Sequence, residues 1–165
     1  MSDNIKVKNI KSIRTAVFYS FSESPEEDAW EKAEKWLEKK DLLKKKSNIR
    51  VFGRNIYPTE NPEPHGYGYY ITVTPDIEIE KDINITIIPG GLYAITKCEG
   101  FEELVQEWPN IWKWVEESDY KYIGETKSDL GFELGLEEHI NWREFLIDKS
   151  ESNIIFNLMI QLYEE

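Results

Sequence analysis

Cysteine is nearly absent from this chain: Cys98 stands alone among 165 residues. No internal disulfide framework is possible, and a reducing compartment, the cytoplasm, is the expected location. The first twenty residues lack the apolar core and small-residue cleavage site of a secretory leader. No run approaches the roughly 20 consecutive apolar residues of a membrane-spanning helix, so no membrane partner is expected. Positive charge is also scarce, with 20 basic residues against 32 acidic ones and a formal net charge of −12. Nucleic-acid affinity rests on cations that neutralise phosphates, so direct DNA binding is not expected. A negative field instead raises the local concentration of cationic ligands.

Catalytic and metal-binding signatures are missing as well. There is no Gly-rich phosphate loop with its lysine, no cysteine cluster and no histidine pair at ligand spacing. His65 sits in a proline-rich stretch and His139 in a polar one, and both read as solvated. The nucleophile elbow Gly-x-Ser-x-Gly does not occur. No metal and no cofactor is expected.

What the chain does have is 40% hydrophobic residues, among them six Trp, nine Tyr and seven Phe, enough for one domain over residues 1–165. Ile10 to Phe21 reads as a strand. Ser24-Pro25-Glu26-Glu27 then combines an N-cap serine, a proline at the first helical position and an early glutamate. Ala29, Trp30, Ala33, Trp36, Leu37 and Leu43 continue at mostly helical spacing, and Lys44 to Lys46 read as a solvated helix end. Ile49 to Tyr57 is a second strand, Pro58 to Gly66 a loop, and Tyr67 to Thr74 a third strand with Tyr67, Tyr69, Ile71 and Val73 on one face and Gly68, Tyr70 and Thr72 on the other.

Ile83, Ile85 and Ile87 alternate into Pro89-Gly90-Gly91, and Leu92 to Lys97 resumes as strand, which makes a bent strand or a tight hairpin. Phe101, Leu104, Val105, Trp108, Ile111, Trp112 and Val115 define a second amphipathic helix that Pro109 should kink or split. Phe132, Leu134 and Leu136, then Ile154 to Leu162, alternate as two final strands. Residues 1–10 read as a flexible N-terminus. Residues 137–152 read as an insertion, a short helix or lid whose Trp142 anchors it.

The order strand, helix, strand, strand occurs twice. It predicts an α+β domain of duplicated β-α-β-β units, with a curved antiparallel sheet, two main helices and a central ligand groove. Trp30, Trp36, Trp108 and Trp112 fall on helix stripes, where packing explains them. Tyr67, Tyr69 and Tyr70 are better binding candidates, because a tyrosine on a sheet face offers an apolar body with a polar tip and its ring face attracts cations. In Gly131-Phe132-Glu133-Leu134-Gly135 the strand period sets Glu133 between two glycines, opposite Phe132 and Leu134. Facing solvent it is an ordinary acid; facing a groove it is a cation receptor or a general base of raised pKa.

Four stretches resemble the GyrI-like small-molecule-binding family, the effector-binding domain that also occurs in AraC-type and MerR-type activators. They are Ser24-Pro25-Glu26-Glu27 to Trp36, Phe52-Gly53 through Pro58 to Tyr67, Ile88-Pro89-Gly90-Gly91-Leu92-Tyr93-Ala94 with Gly100, and Ile111 to Tyr120 followed by Phe132-Glu133. The resemblance implies paired β-α-β-β units about a pseudo-twofold axis with a ligand groove between them. It sets the family's pocket glutamate on Glu133 and makes Val17, Tyr19, Tyr67, Tyr69, Trp112 and Phe156 wall residues, with Phe18 replacing Val17 and Tyr19 if the strand phase shifts by one. The chain departs from the family at Gly135, where a tyrosine is usual, and in a final strand without proline.

The function so implied is non-enzymatic binding of small cationic or aromatic amphiphilic molecules by a stand-alone sensor or sequestering module. Two alternatives stay open: a hydrolase of strained electrophilic molecules with Glu133 as general base, and an acidic inhibitor module that binds a protein partner.

Overall fold

The computed structural model describes residues 4–43, 48–56, 66–122, 135–147 and 154–163. Along the chain they form β1 (Lys6–Ile10), β2 (Ile13–Ser20), α1 (Pro25–Lys39), β3 (Val51–Ile56), β4 (Gly66–Thr72), β5 (Asn84–Ile88), β6 (Gly91–Glu99), α2 (Gly100–Glu117), β7 (Lys121–Tyr122), β8 (Leu136–His139), α3 (Trp142–Ile147) and β9 (Ile155–Tyr163). They divide into two compact units, residues 13–88 and residues 1–12 with 89–165. Lys44 to Lys46, the proline loop with His65, and Phe132 and Glu133 lie outside the described residues.

In the 13–88 unit an antiparallel sheet of order β3-β4-β2-β5 carries α1 on one face. Pro25 opens the helix where a missing N–H costs nothing, and Glu26, Glu27 and Asp28 meet the positive end of its dipole. Ser24 holds the N-cap position without making the expected side-chain bond; nearby, the Ser22 hydroxyl donates to the Asp28 carboxylate. Ala29, Ala33, Trp36 and Leu37 form the buried stripe. The helix stops at Lys39, short of Leu43, because Asp41 turns to φ 58° and the amides of Asp41 and Leu42 return to the carbonyls of Glu38 and Leu37 at 3.0 and 2.8 Å. Glu80 ties the connection between β4 and β5 to this end of the helix: it pairs with Lys40 and accepts from the Trp36 indole at 2.8 Å, and these bonds hold its carboxyl down at about 2.

In the other unit the order is β1-β6-β9-β8, with β7 also paired to β9. Leu104, Ile111 and Val115 of α2 pack into a core with Ala94, Cys98, Phe156, Leu158, Ile160 and Leu162. Pro109 does not split the helix. It is exposed, as is Val105, whose carbonyl lacks the usual i+4 donor, so the missing bond falls on the solvent side of the helix.

Residues 6–10, read from the sequence as part of a flexible N-terminus, form β1, in register from Lys6 opposite Ile95 to Ile10 opposite Gly91. The Pro89-Gly90-Gly91 break is neither a hairpin nor a bend, since β5 pairs with β2 while β6 pairs with β1 and β9. A Cβ on Gly90 would lie 2.8 Å from the Ser12 amide nitrogen, and Gly91 has φ 132°. The Tyr93 hydroxyl donates back to the Pro89 carbonyl at 2.6 Å. Each part of Pro-Gly-Gly-x-Tyr thus has its own structural task. The expected insertion opens with β8, which pairs with β9, and Trp142 of α3 is buried. The sequences β2-α1-β3-β4 and β6-α2-β8-β9 repeat one topology, as the duplicated α+β reading requires.

Candidate functional site

Residues opposite one another on antiparallel strands share a face. In the 13–88 unit Val17 lies opposite Tyr70, Phe18 opposite Tyr69, Tyr19 opposite Gly68 and Ser20 opposite Tyr67. Phe18 packs on Trp36 at 5.4 Å and Tyr69 on Trp30 at 5.1 Å between ring centroids, and Tyr67 meets Tyr69 at 5.1 Å. Tyr67 and Tyr69 are therefore held on the helix-covered face, away from Val17 and Tyr19. Within this unit the four expected wall residues divide between the two faces of the sheet.

Val17 and Tyr19 instead share the uncovered face with Tyr70, at a depression of about 480 Å³ that Ile56, Asn84 and Thr86 also line. Tyr19 is 42% exposed there, while the Tyr70 ring is buried. Arg54 donates from Nε to the Tyr70 hydroxyl at 2.7 Å. Burial pushes the Tyr70 phenol up, with the Arg54 charge acting against it. The strand period separates Tyr70 from Tyr67 and Tyr69, and the β2–β4 register sets it on the face of Val17 and Tyr19.

In the second unit Phe156 and Trp112 belong to the helix side. Phe156 is buried in the α2 core, with Phe101 at 5.7 Å, and Trp112 packs edge-on against Tyr122 at 4.8 Å. The face turned away from α2 carries Tyr93, Met159, Gln161, Leu136 and Glu138, all buried. The Gln161 side-chain amide donates to the Gly90 carbonyl at 3.2 Å. Glu138 is a carboxylate only 7% exposed. The sequence reading passed over it because Glu137 and Glu138 stand together and only the pairing with β9 tells which one turns to which face. His139 is half-buried, its ring edge-on to Phe156 at 5.0 Å, and burial lowers its pKa to about 4. It is not the solvated histidine expected.

Gly135 explains one departure noted in the sequence. It has φ 88°, and a Cβ would meet the Met159 carbonyl oxygen and the Trp108 ring at 3.0 Å. The indole fills the space that a side chain would take. Gly135→Ala is expected to destabilise the protein by about 1–3 kcal/mol, read as a lower urea midpoint. An unchanged midpoint would show that Trp108 gives way freely.

Among the described residues no group of three His, Cys, Asp or Glu is placed to hold a metal ion, and no helix is long and apolar enough to cross a membrane. Two antiparallel β-α-β-β units, each with a helix-covered face and a second face bearing tyrosines and buried polar groups, have the build of a ligand-binding domain. The chain belongs to the family of the GyrI-like small molecule binding domain, whose model matches residues 5–140.

No curated protein matches the sequence. Among solved structures, EcmrR in a cryo-EM complex with DNA aligns with TM-score 0.69 and 12% identity over 98% of this chain, which spans 57% of the EcmrR chain. The crystal structure of the EcmrR C-terminal domain aligns with TM-score 0.64 and 12% identity, covering 98% of each chain. A hydrolase from Listeria innocua gives TM-score 0.64 and 6% identity, over 97% of this chain and 92% of that one. SAV2435, solved with tetraphenylphosphonium bound, gives TM-score 0.52 and 9% identity, over 96% and 93%. At these identities the likeness is one of fold.

Proposed function

We propose that this domain binds small lipophilic organic cations, aromatic ones above all, without altering them chemically, and serves as a sensor or sequestering module. The observation that carries the reading is the open depression where Val17, Tyr19 and Tyr70 meet on the uncovered sheet face, in a chain of net charge −12. Tyrosine rings give apolar area and a quadrupole that favours cations by roughly 0.5–2 kcal/mol each, and the negative field concentrates such ligands. Tetraphenylphosphonium, seen on SAV2435, is a molecule of this kind. The family resemblance sets the pocket glutamate on Glu133, and on that ground alone its carboxylate is the proposed source of charge selectivity.

The test is a fluorescence titration with tetraphenylphosphonium and with tetraphenylborate, two ions of closely similar shape and opposite sign. The cation is expected to bind at least about tenfold more tightly, and Glu133→Gln to weaken it by about 1–3 kcal/mol while the anion changes little. Equal affinity for both ions would overturn the cation reading. Hydrolysis of a strained electrophilic substrate that disappears in Glu133→Gln would replace it with the enzymatic alternative.

A further inference from the structure

We propose that β5 is a self-association edge, on which a second copy of this chain pairs its own β5 antiparallel across a twofold axis. β5 ends the strand order β3-β4-β2-β5, so β2 occupies only one of its sides. Thr15 and Thr86 stand opposite each other, and the Thr86 carbonyl accepts the Thr15 hydroxyl at 2.7 Å. The main-chain groups of Thr86 therefore face β2. Direction alternates along an antiparallel strand, so the N–H and C=O of Ile85 and Ile87 point outward, where among the described residues nothing bonds to them. The side chains of the same two isoleucines are 39% and 44% exposed.

The occupant follows from the chemistry of this edge. Outward main-chain donors and acceptors are matched by another strand. From Ile83 to Gly90 there is no charged residue, in a chain that is 32% charged. A second copy, despite its net charge of −12, therefore brings no like charges face to face within the paired segment. Pairing about Thr86 sets Ile85 opposite the partner's Ile87 and gathers four isoleucines on one face, the self-complementary contact that a twofold axis requires. The edge strand β1 of the other unit is built the opposite way: its exposed Lys6 and Lys8 discourage pairing with another chain.

Sedimentation equilibrium of the full chain over the micromolar range tests this. The wild type is expected to dimerise. Ile87→Pro removes only an outward-facing N–H, which an edge strand tolerates, and the double variant Ile85→Lys/Ile87→Lys places charge on the contact; both are expected to be monomeric with unchanged circular dichroism. Thr86→Cys should give a disulfide-linked dimer on mild oxidation, since opposed residues of this type lie about 4.5 Å apart between Cα atoms, and the native thiol of Cys98 is buried. A wild type that stays monomeric throughout, or a dimer that survives in both the proline and the lysine variants, would overturn the proposal.

Discussion

Phe156→Ala is expected to lower stability by about 3–5 kcal/mol and to leave the affinity of the folded protein for tetraphenylphosphonium unchanged. Phe156 is 1% exposed, lies opposite Cys98 on β6, and touches the rings of Phe101 and His139. Truncation removes the transfer free energy of a whole ring and leaves a cavity between α2 and the sheet that the rigid strands cannot close. In a domain of this size the loss corresponds to a fall in Tm of roughly 6–20 °C. Urea unfolding of the two proteins measures the first quantity and a titration at low temperature the second. A large loss of affinity with little change in stability would return Phe156 to the ligand wall that the family resemblance implied. Tyr19→Ala is the complementary case: a side chain 42% exposed on the uncovered face contributes little to folding, so its effect is expected in binding.

The contrast between Phe156 and Tyr19 marks what one sequence makes legible. Both helices were readable because their signals are local: the Ser-Pro-Glu-Glu start and apolar stripes at three- and four-residue spacing fall within a few turns. The duplicated α+β architecture followed from counting such elements. Strand phase was readable too, so that Tyr67 and Tyr69 were correctly separated from Tyr70. Which phase of β2 matches which phase of β4 is decided by a pairing between residues some fifty positions apart, and no local pattern in either strand encodes it. The same limit hid β1, whose Lys-Val-Lys-Asn-Ile is strand only because β6 lies beside it. It also made a bent strand or a tight hairpin of β5 and β6, which are adjacent in sequence but pair with different partners. Glu133 was legible from its frame of two glycines and from the motif, and the buried Glu138 was not legible at all.

His139 provides the second large effect, a loss of stability on mild acidification. Its pKa in the folded protein is lowered to about 4 from an ordinary 6.5 because burial disfavours the imidazolium. The unfolded chain therefore binds a proton in the window between these values while the folded one does not. Stability from this group is fully present above pH 6.5, falls as pH drops through the window, and is lost once pH passes below about 4. At 1.36 kcal/mol per pH unit the expected loss by pH 5 is about 2 kcal/mol. Glu80, whose carboxyl is held down at about 2 from an ordinary 4.5, adds to the loss only as pH nears 4.5, where the unfolded carboxyl takes up its proton, and so contributes little at pH 5. The measurement is the urea midpoint at pH 7.5 and pH 5, for the wild type and for His139→Gln. The variant keeps a polar group in place without a titrating one, so its midpoint should fall less than that of the wild type by most of those 2 kcal/mol. Equal slopes for the two proteins would mean that the imidazole of His139 gains a proton in the folded state as readily as in water, and that the ring packed against Phe156 is reached by solvent.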